Sequence, residues 1–245
     1  MSTHLSSTGK RPAIYCVIPA AGVGKRMQAN VPKQYLTINN KTILEHTVER
    51  LQSVSCVEQV VIAINPEDQY FSKLNLDYEV KVVFGGDERI NSVLAGLKAI
   101  DSNEDAWVLV HDAARPNVSV DDIEKLVESC FEQSCGGILA TPVRDTMKRG
   151  NKKGGQSIDH AFIDHTEDRE NLWHALTPQF FELNQLIEAL EQGLKDNITL
   201  TDEASAIENA DKPVLLVEGR ADNLKITRPE DLALATFYLN HLESN

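Results

Sequence analysis

The chain has 245 residues, of which 42% are hydrophobic, and it carries a formal net charge of −13 at pH 7. This length suits one α/β domain, which we predict over residues 12–245, after a disordered tail at residues 1–11. The excess of acidic side chains argues against nucleic acid or an anionic membrane surface as a partner held by bulk charge.

The cysteines and the apolar segments indicate the cellular compartment of the protein. The four cysteines form no C-x-x-C motif, and most lie in or beside apolar runs. They are typical of reduced core thiols, so we predict a cytoplasmic protein. The apolar stretch near the start is short and is interrupted by Pro19, which argues against a signal peptide. No segment approaches the about 18 apolar residues of a membrane helix, so we predict no membrane partner.

Predicted strands and helices alternate along most of the chain. Ile14 to Ile18, an apolar run closed by Pro19, is the first predicted strand. Further strands are predicted at 57–65, 79–84, 107–110, 136–140 and 213–217. Helices are predicted at 44–51, 89–100, from 121, at 180–194, at 201–209 and from 229. This alternation predicts an α/β fold with a doubly wound, mostly parallel sheet.

Three loops with polar or small residues directly follow predicted strands: 20–24, 85–87 and 112–114. The carboxyl ends of parallel strands meet at one edge of a sheet, where such folds bind their ligands. The three loops are therefore expected to form one site.

The loop after the first strand is suited to a triphosphate. Its small residues let backbone N–H groups approach an anion; they are Ala20, Ala21, Gly22 and Gly24, and the cations Lys25, Arg26 and Lys33 follow. Neither a Walker A loop nor a G-x-G-x-x-G fingerprint fits the spacing. For the two glycines alone, a strand followed by an ordinary turn is a slightly better interpretation. The cations, in an acidic chain, favour the phosphate site.

The segment from Pro142 to about Asp168 interrupts the alternating pattern. It is polar and contains several glycines and cations, with Gly154 and Gly155 between two segments of extended character. One interpretation is a long disordered loop. Since long loops without structure are uncommon in compact domains, we instead predict a protruding β-arm over residues 142–168.

Eight motifs, in order, resemble one family. They are P-A-A-G-V-G-K-R-M, P-K-Q-Y-L, G-G-D-E-R, V-H-D-A-A-R-P, P-V-R-D-T-M-K-R, L-T-P-Q, T-D-E-A-S and G-R-A-D-N-L-K-I-T-R-P-E-D. Together, from about Ile14 to about Tyr238, they resemble the 2-C-methyl-D-erythritol 4-phosphate cytidylyltransferases of the non-mevalonate isoprenoid pathway. The resemblance implies a Rossmann-like nucleotidyltransferase fold, Mg²⁺ as cofactor, CTP and a polyol phosphate as substrates, and a homodimer formed through the arm.

The resemblance also implies roles for individual residues. Those implied to be catalytic are Arg26, Lys33, Asp112 and Lys225, with Asp112 also binding the metal. Those implied to bind the nucleotide are Ala20, Ala21, Gly22, Gly24, Gly86, Asp87, Ser92 and Ala113. Those implied to bind or neighbour the second substrate are Arg115, Thr146, Arg169, Thr177 and Thr201.

The residues alone leave alternatives open. Asp112 is explained equally well as a Mg²⁺ ligand or as a turn aspartate, and residues 85–87 are explained better as a glycine turn. The histidines lack the spacing of metal ligands. The near rival in function is transfer to another alcohol phosphate, such as ribitol 5-phosphate. The combination of Arg26, Lys33 and Asp112 argues against a nucleotide-binding regulatory module without catalysis, and the phosphate loop argues against a structural assembly domain.

Overall fold

A computed structural model of the chain describes residues 11–22, 31–102, 105–151 and 162–242. The strands are β1 (Ile14–Pro19), β2 (Thr37–Ile38), β3 (Lys41–Thr42), β4 (Val57–Ile64), β5 (Lys81–Phe84), β6 (Trp107–Val110), β7 (Gly137–Pro142), β8 (Lys148–Asn151), β9 (Phe162–Thr166), β10 (Trp173–Glu182) and β11 (Leu215–Glu218). The α-helices are α1 (Ile43–Gln52), α2 (Arg89–Lys98), α3 (Val120–Gln133), α4 (Leu183–Lys195), α5 (Glu203–Asn209) and α6 (Pro229–Leu242).

The central sheet has seven strands in the order β11-β7-β10-β6-β1-β4-β5. Its neighbours pair in parallel except around β10, which is antiparallel to both β6 and β7. The predicted fold class, a doubly wound and mostly parallel sheet, is confirmed.

Both faces of the sheet are covered at its central strands. In β1, Cys16 and Ile18 pack on one side with α1 and α3, whereas Val17 packs on the other side with α2, α4 and α5. Successive side chains of a strand point to opposite faces, so a sheet covered on both sides has continuous apolar strands such as β1. This is why the apolar runs predicted the strands well.

One central strand was missed. The predicted helix at 180–194 is wrong for residues 180–182, because β10 extends to Glu182 and α4 begins at Leu183. Pro178 lies within β10, and a proline argues against a central strand because it cannot donate a ladder hydrogen bond. The structure accommodates it at a register shift between Ala175 and Gln179 in the pairing with β7.

Strands β8 and β9 pair with each other in a separate two-stranded sheet. Every residue of the two strands is exposed. They belong to the segment for which we predicted an arm. Residues 152–161 lie outside the described residues, as do residues 1–10 of the tail predicted at 1–11.

Within the described ranges, no helix combines the length and the apolar character needed to span a bilayer.

Candidate active site

A cleft of about 370 Å³ opens at the carboxyl edge of the sheet. The loops after β1, β5 and β6 all contribute to its wall, as the strand ends predicted. Of the predicted site residues, the cleft is lined by Ala20, Ala21, Gly22, Lys33, Gly86, Asp87, Ser92, Asp112, Ala113 and Lys225. Gly24 and Arg26 lie outside the described residues.

The other predicted residues lie behind the cleft or away from it. Arg115 and Thr177 are buried and contact Asp112 through a side-chain and a backbone hydrogen bond, respectively. Thr146 and Arg169 are exposed at the base of the arm segment, where Arg169 donates to the carbonyl of Arg144. Neither residue lines the cleft, so binding of the second substrate by Thr146 and Arg169 stays a prediction.

Thr201 is exposed near the first turn of α5. It lines a smaller cavity of about 110 Å³ that shares Glu88 and Arg89 with the main cleft. The two cavities therefore adjoin at Arg89, which places Thr201 beside the cleft.

Asp112 is the electrostatic centre of the cleft. Its Oδ1 accepts from Arg89 Nε at 3.1 Å, and its Oδ2 lies 3.2 Å from Arg115 Nε and 2.9 Å from Lys225 Nζ. Burial opposes the charge of this carboxylate, but the positive charges of Arg89, Lys225 and Arg115 outweigh burial and hold its pKa well below the usual value. Asp112 is therefore ionised, and it places three cations at one edge of the sheet.

Arg89 and Glu203 are site residues that the sequence analysis did not assign. Glu203 is fully buried and accepts two hydrogen bonds from Arg89, at 2.6 Å from Nη1 and 3.1 Å from Nη2. Burial disfavours the charge of Arg89, but the carboxylates of Glu203 and Asp112 outweigh it and raise the pKa of Arg89. The only signal was that each residue lies in a family motif, G-G-D-E-R or T-D-E-A-S, without an assigned role.

Lys33 and Gln34 lie in a 3₁₀ turn, Lys33–Tyr35, that follows the phosphate loop. Lys33 Nζ donates to the carbonyl of Ile226 at 2.9 Å. Gln34 Nε2 donates to the carbonyls of Ala20 at 2.7 Å and Gly22 at 3.1 Å. Gln34, which was also missed, thus binds two carbonyl oxygens that would otherwise repel an anion beside the loop.

The loop after β5 is closely packed against its surroundings. The backbone N–H of Gly86 donates to Ser92 Oγ at 3.2 Å. A Cβ on Gly85 would lie 2.5 Å from Ser92 Oγ and 2.9 Å from the Cβ of Ala21. Only glycine fits at position 85. The absence of a side chain lets the loops after β1 and β5 approach each other, and it leaves backbone donors and acceptors exposed in the wall of the cleft.

Asp112 has the donor chemistry for a divalent cation. Mg²⁺ binds one or two carboxylates together with phosphate oxygens and water, and a carboxylate has about four lone-pair sites. Three of those sites are used by the cations around Asp112. The described residues hold no group of three or more potential His, Cys, Asp or Glu ligands. The site therefore fits Mg²⁺ if most of its ligands come from the nucleotide and from water.

The chain was compared with known proteins. The family model for 2-C-methyl-D-erythritol 4-phosphate cytidylyltransferase (IspD) matches residues 14–241. The protein of this name from Colwellia psychrerythraea is 57% identical to this chain, and the alignment covers 94% of this chain and 96% of the relative. The one from Serratia proteamaculans is 50% identical, and the alignment covers 97% of this chain and 99% of the relative.

Solved structures agree with the sequence relatives. A crystal structure of 4-diphosphocytidyl-2C-methyl-D-erythritol synthase is 36% identical, with a TM-score of 0.78 over 94% of this chain and 99% of the other. The Francisella tularensis 2-C-methyl-D-erythritol 4-phosphate cytidylyltransferase is also 36% identical, with a TM-score of 0.78 over 92% and 99% of the two chains. With the cleft, its cations and the matching motifs, these relatives show that the chain belongs to the family of 2-C-methyl-D-erythritol 4-phosphate cytidylyltransferases.

Proposed function

We propose that the chain transfers the cytidylyl group of CTP to 2-C-methyl-D-erythritol 4-phosphate. The products are 4-diphosphocytidyl-2-C-methyl-D-erythritol and pyrophosphate. The observation that carries this proposal is the cleft in which Asp112 binds Arg89, Arg115 and Lys225, with Lys33 on the adjacent segment. A family member with this set of cations in and behind its cleft is suited to a reaction between two phosphorylated substrates.

The reaction is a direct displacement at phosphorus. An oxygen of the polyol phosphate forms a bond to the α-phosphorus of CTP, and the bond between that phosphorus and the bridging oxygen of the β-phosphate breaks. The attacking oxygen is already charged, so no general base is needed. The main task of the protein is to align the reactants and to stabilise the added charge of the transition state.

Lys33 and Lys225 are placed for that task from adjoining segments. Lys33 binds the carbonyl of Ile226, and Lys225 binds Asp112. An ammonium group has three N–H donors, so the bond to Asp112 leaves Lys225 able to donate to a phosphate oxygen. Arg26 would contribute a forked set of donors from the loop after β1.

The loop after β5 and the start of α2 form a part of the cleft wall that suits the base. Gly86, Asp87 and Ser92 provide backbone groups, a carboxylate and a hydroxyl, and cytosine offers an amino donor together with ring acceptors. We propose that these residues select CTP, and that Ala113 lies by the ribose.

Asp112 would hold Mg²⁺ together with the phosphates of CTP. A bound Mg²⁺ would supply Lewis-acid stabilisation of the phosphate charge. Arg89 binds Oδ1 of this carboxylate and Arg115 binds Oδ2, so both oxygens are held in place by the protein.

We further propose a cytoplasmic homodimer. The four cysteines are free thiols, which agrees with a reducing compartment. The exposed strands β8 and β9 include Phe162 and Ile163, whose side chains are large and apolar. An isolated hairpin is marginal in water, so a second subunit is the natural partner for it.

The proposal is tested by pyrophosphate release from the purified chain with CTP and Mg²⁺. The acceptor is 2-C-methyl-D-erythritol 4-phosphate, ribitol 5-phosphate or glycerol 3-phosphate, and UTP and ATP replace CTP in control reactions. We expect kcat/KM to be highest for CTP with the methylerythritol phosphate. Absence of release with every acceptor, or a higher kcat/KM with ribitol 5-phosphate, would contradict the proposal.

A further inference from the structure

A ring of four hydrogen bonds links four residues next to Asp112. His111 Nε2 donates to the carbonyl of Arg115 at 3.0 Å, and Arg115 Nη1 donates to the carbonyl of Asn223 at 2.7 Å. Asn223 Nδ2 donates to the carbonyl of Thr177 at 2.8 Å, and the Thr177 hydroxyl closes the ring at His111 Nδ1, 3.0 Å away. All four residues are buried.

Asp112 is attached to this ring at two points. Its backbone N–H donates to Thr177 Oγ1 at 3.1 Å, and its Oδ2 accepts from Arg115 Nε at 3.2 Å. The ring therefore fixes both the main chain and the carboxylate of Asp112. It joins the end of β6 to β10 and to the loop before α6, which are distant in sequence.

The partners of His111 determine where its proton lies. The carbonyl of Arg115 can only accept, so Nε2 must carry a hydrogen. His111 is fully buried, and its two ring nitrogens bind uncharged partners, a carbonyl and a hydroxyl. Because an unpaired charge is costly to bury, the neutral imidazole fits this environment, and Nδ1 is then an acceptor. The Thr177 hydroxyl then directs its one hydrogen to His111 and presents a lone pair to the N–H of Asp112.

We infer that His111 is a positioning residue, which acts through Thr177 to orient Asp112 for nucleotidyl transfer. If the acceptor Nδ1 of His111 is removed, the buried hydroxyl hydrogen of Thr177 loses its hydrogen-bond acceptor. That arrangement is costly, and a rotated hydroxyl no longer holds the Asp112 N–H. This inference rests on the proposed function, because it concerns the same site.

Two substitutions separate the two nitrogens of His111. In His111→Asn, the amide oxygen replaces the acceptor Nδ1, and the bond to Arg115 is lost. In His111→Gln, the amide nitrogen replaces the donor Nε2, and the acceptor for Thr177 is lost. Each variant loses one hydrogen bond, so a merely structural role of His111 would affect both alike.

We expect His111→Gln to lower kcat by about 100-fold, as a small misplacement of a reacting group can, and His111→Asn to lower it by about fivefold or less. Thr177→Val should lower kcat about as much as His111→Gln does. The double variant His111→Gln/Thr177→Val should have a kcat no lower than that of Thr177→Val alone, because both substitutions act through the same hydroxyl. Equal losses of kcat in the Asn and Gln variants, or additive losses in the double variant, would overturn the inference.

Two measurements need no substrate, so they separate this inference from the proposed function. Hydrogen exchange of the Asp112 amide should be faster in His111→Gln and Thr177→Val than in His111→Asn. The ¹⁵N NMR shifts of His111 in the unsubstituted protein should show hydrogen on Nε2 and none on Nδ1, which holds as a test even if a variant does not fold. A hydrogen on Nδ1 would overturn the inference, whereas a wild-type chain that releases no pyrophosphate would instead contradict the proposed function.

Discussion

Asp112 is the residue where the contacts of the site meet. It is 7% exposed and ionised, and it binds Arg89, Arg115 and Lys225. Removing one partner of a buried ion pair is costly, because it leaves the other partner with an uncompensated charge. A single substitution here therefore tests the cation cluster and the proposed metal site together.

We expect Asp112→Asn to lower kcat and to raise the Mg²⁺ concentration needed for half-maximal activity. The amide keeps the shape of the side chain but removes the charge that attracts Mg²⁺. Activity of both proteins is titrated with Mg²⁺ after chelation. A titration curve for Asp112→Asn with an unchanged midpoint would show that Asp112 is not the ligand.

Lys33 is expected to stabilise the transition state more than bound CTP. Lys33→Ala should lower kcat by roughly 10²–10³-fold with a smaller change in KM, which is the usual effect of losing one charge-stabilising donor. Lys125→Ala is a matched control, because Lys125 also donates to a carbonyl, that of Glu218, and does not line the cleft. Similar kcat values for the two variants would contradict the role of Lys33.

At the scale of single elements, α1 depends on a capping box. Thr42 and Glu45 bind each other's backbone N–H groups, and Glu45 also accepts from the N–H of Asn75 at 3.0 Å. Burial raises the cost of the Glu45 charge, but the hydrogen bonds from Thr42 and Asn75 outweigh it, so the pKa of Glu45 is lowered. The charged form of Glu45 therefore stabilises the folded state.

This stabilisation should depend on pH. A carboxyl whose pKa is lowered on folding contributes stability above its unfolded pKa, about 4.3 for Glu, and loses it as the pH falls through the folded value. We expect Glu45→Gln to be less stable than the wild type at pH 6, with a difference that shrinks towards pH 3. Urea unfolding at several pH values measures this, and a constant difference in the free energy of unfolding would contradict it.

The packing of α2 on β1 depends on Gly96. A Cβ at this position would lie 2.5 Å from Val17 Cγ1. We expect Gly96→Ala to destabilise the fold by about 1–3 kcal/mol, since extra volume in a full core forces neighbours to move. Val17→Ala should relieve the clash, so that the double variant is more stable than the sum of the single effects implies. Thermal unfolding of all three variants is the measurement, and strict additivity would argue against the clash.

At the scale of the whole molecule, β8 and β9 form a separate two-stranded sheet in which every residue is exposed. If it crosses to a second subunit, Arg169 at its base and Lys33 in the cleft would serve one active site from different chains. Exchange of an element between identical subunits follows a two-fold axis.

Complementation tests this arrangement. We expect Lys33→Ala and Arg169→Ala each to be nearly inactive. After subunit exchange, their mixture should recover roughly a quarter of wild-type activity, since half the dimers are mixed and each has one intact site. A mixture that stays inactive although exchange is demonstrated would show that the sites are not shared, as would a fully active monomer.

The alternating elements and the position of the cleft were predictable from the sequence for a physical reason. Apolar runs such as Ile14–Pro19 and helical spacing are local patterns, and in a parallel sheet they also specify which loops share an edge. Lys33, Asp112 and Ser92 could thus be placed in one cleft before any contact was known.

Long-range contacts could not be predicted in this way. Arg89 and Glu203 are 114 positions apart, and no spacing rule links them. Strand β10 was missed because Pro178 breaks the local pattern, while pairing with β6 and β7 on both sides stabilises it. His111 was recognised as a residue without metal-ligand spacing, but its role depends on Thr177 and on the carbonyl of Arg115. Folding of the sheet brings such partners together. A buried polar group needs a hydrogen-bond partner, and only the tertiary structure decides which groups lie close enough to serve as one.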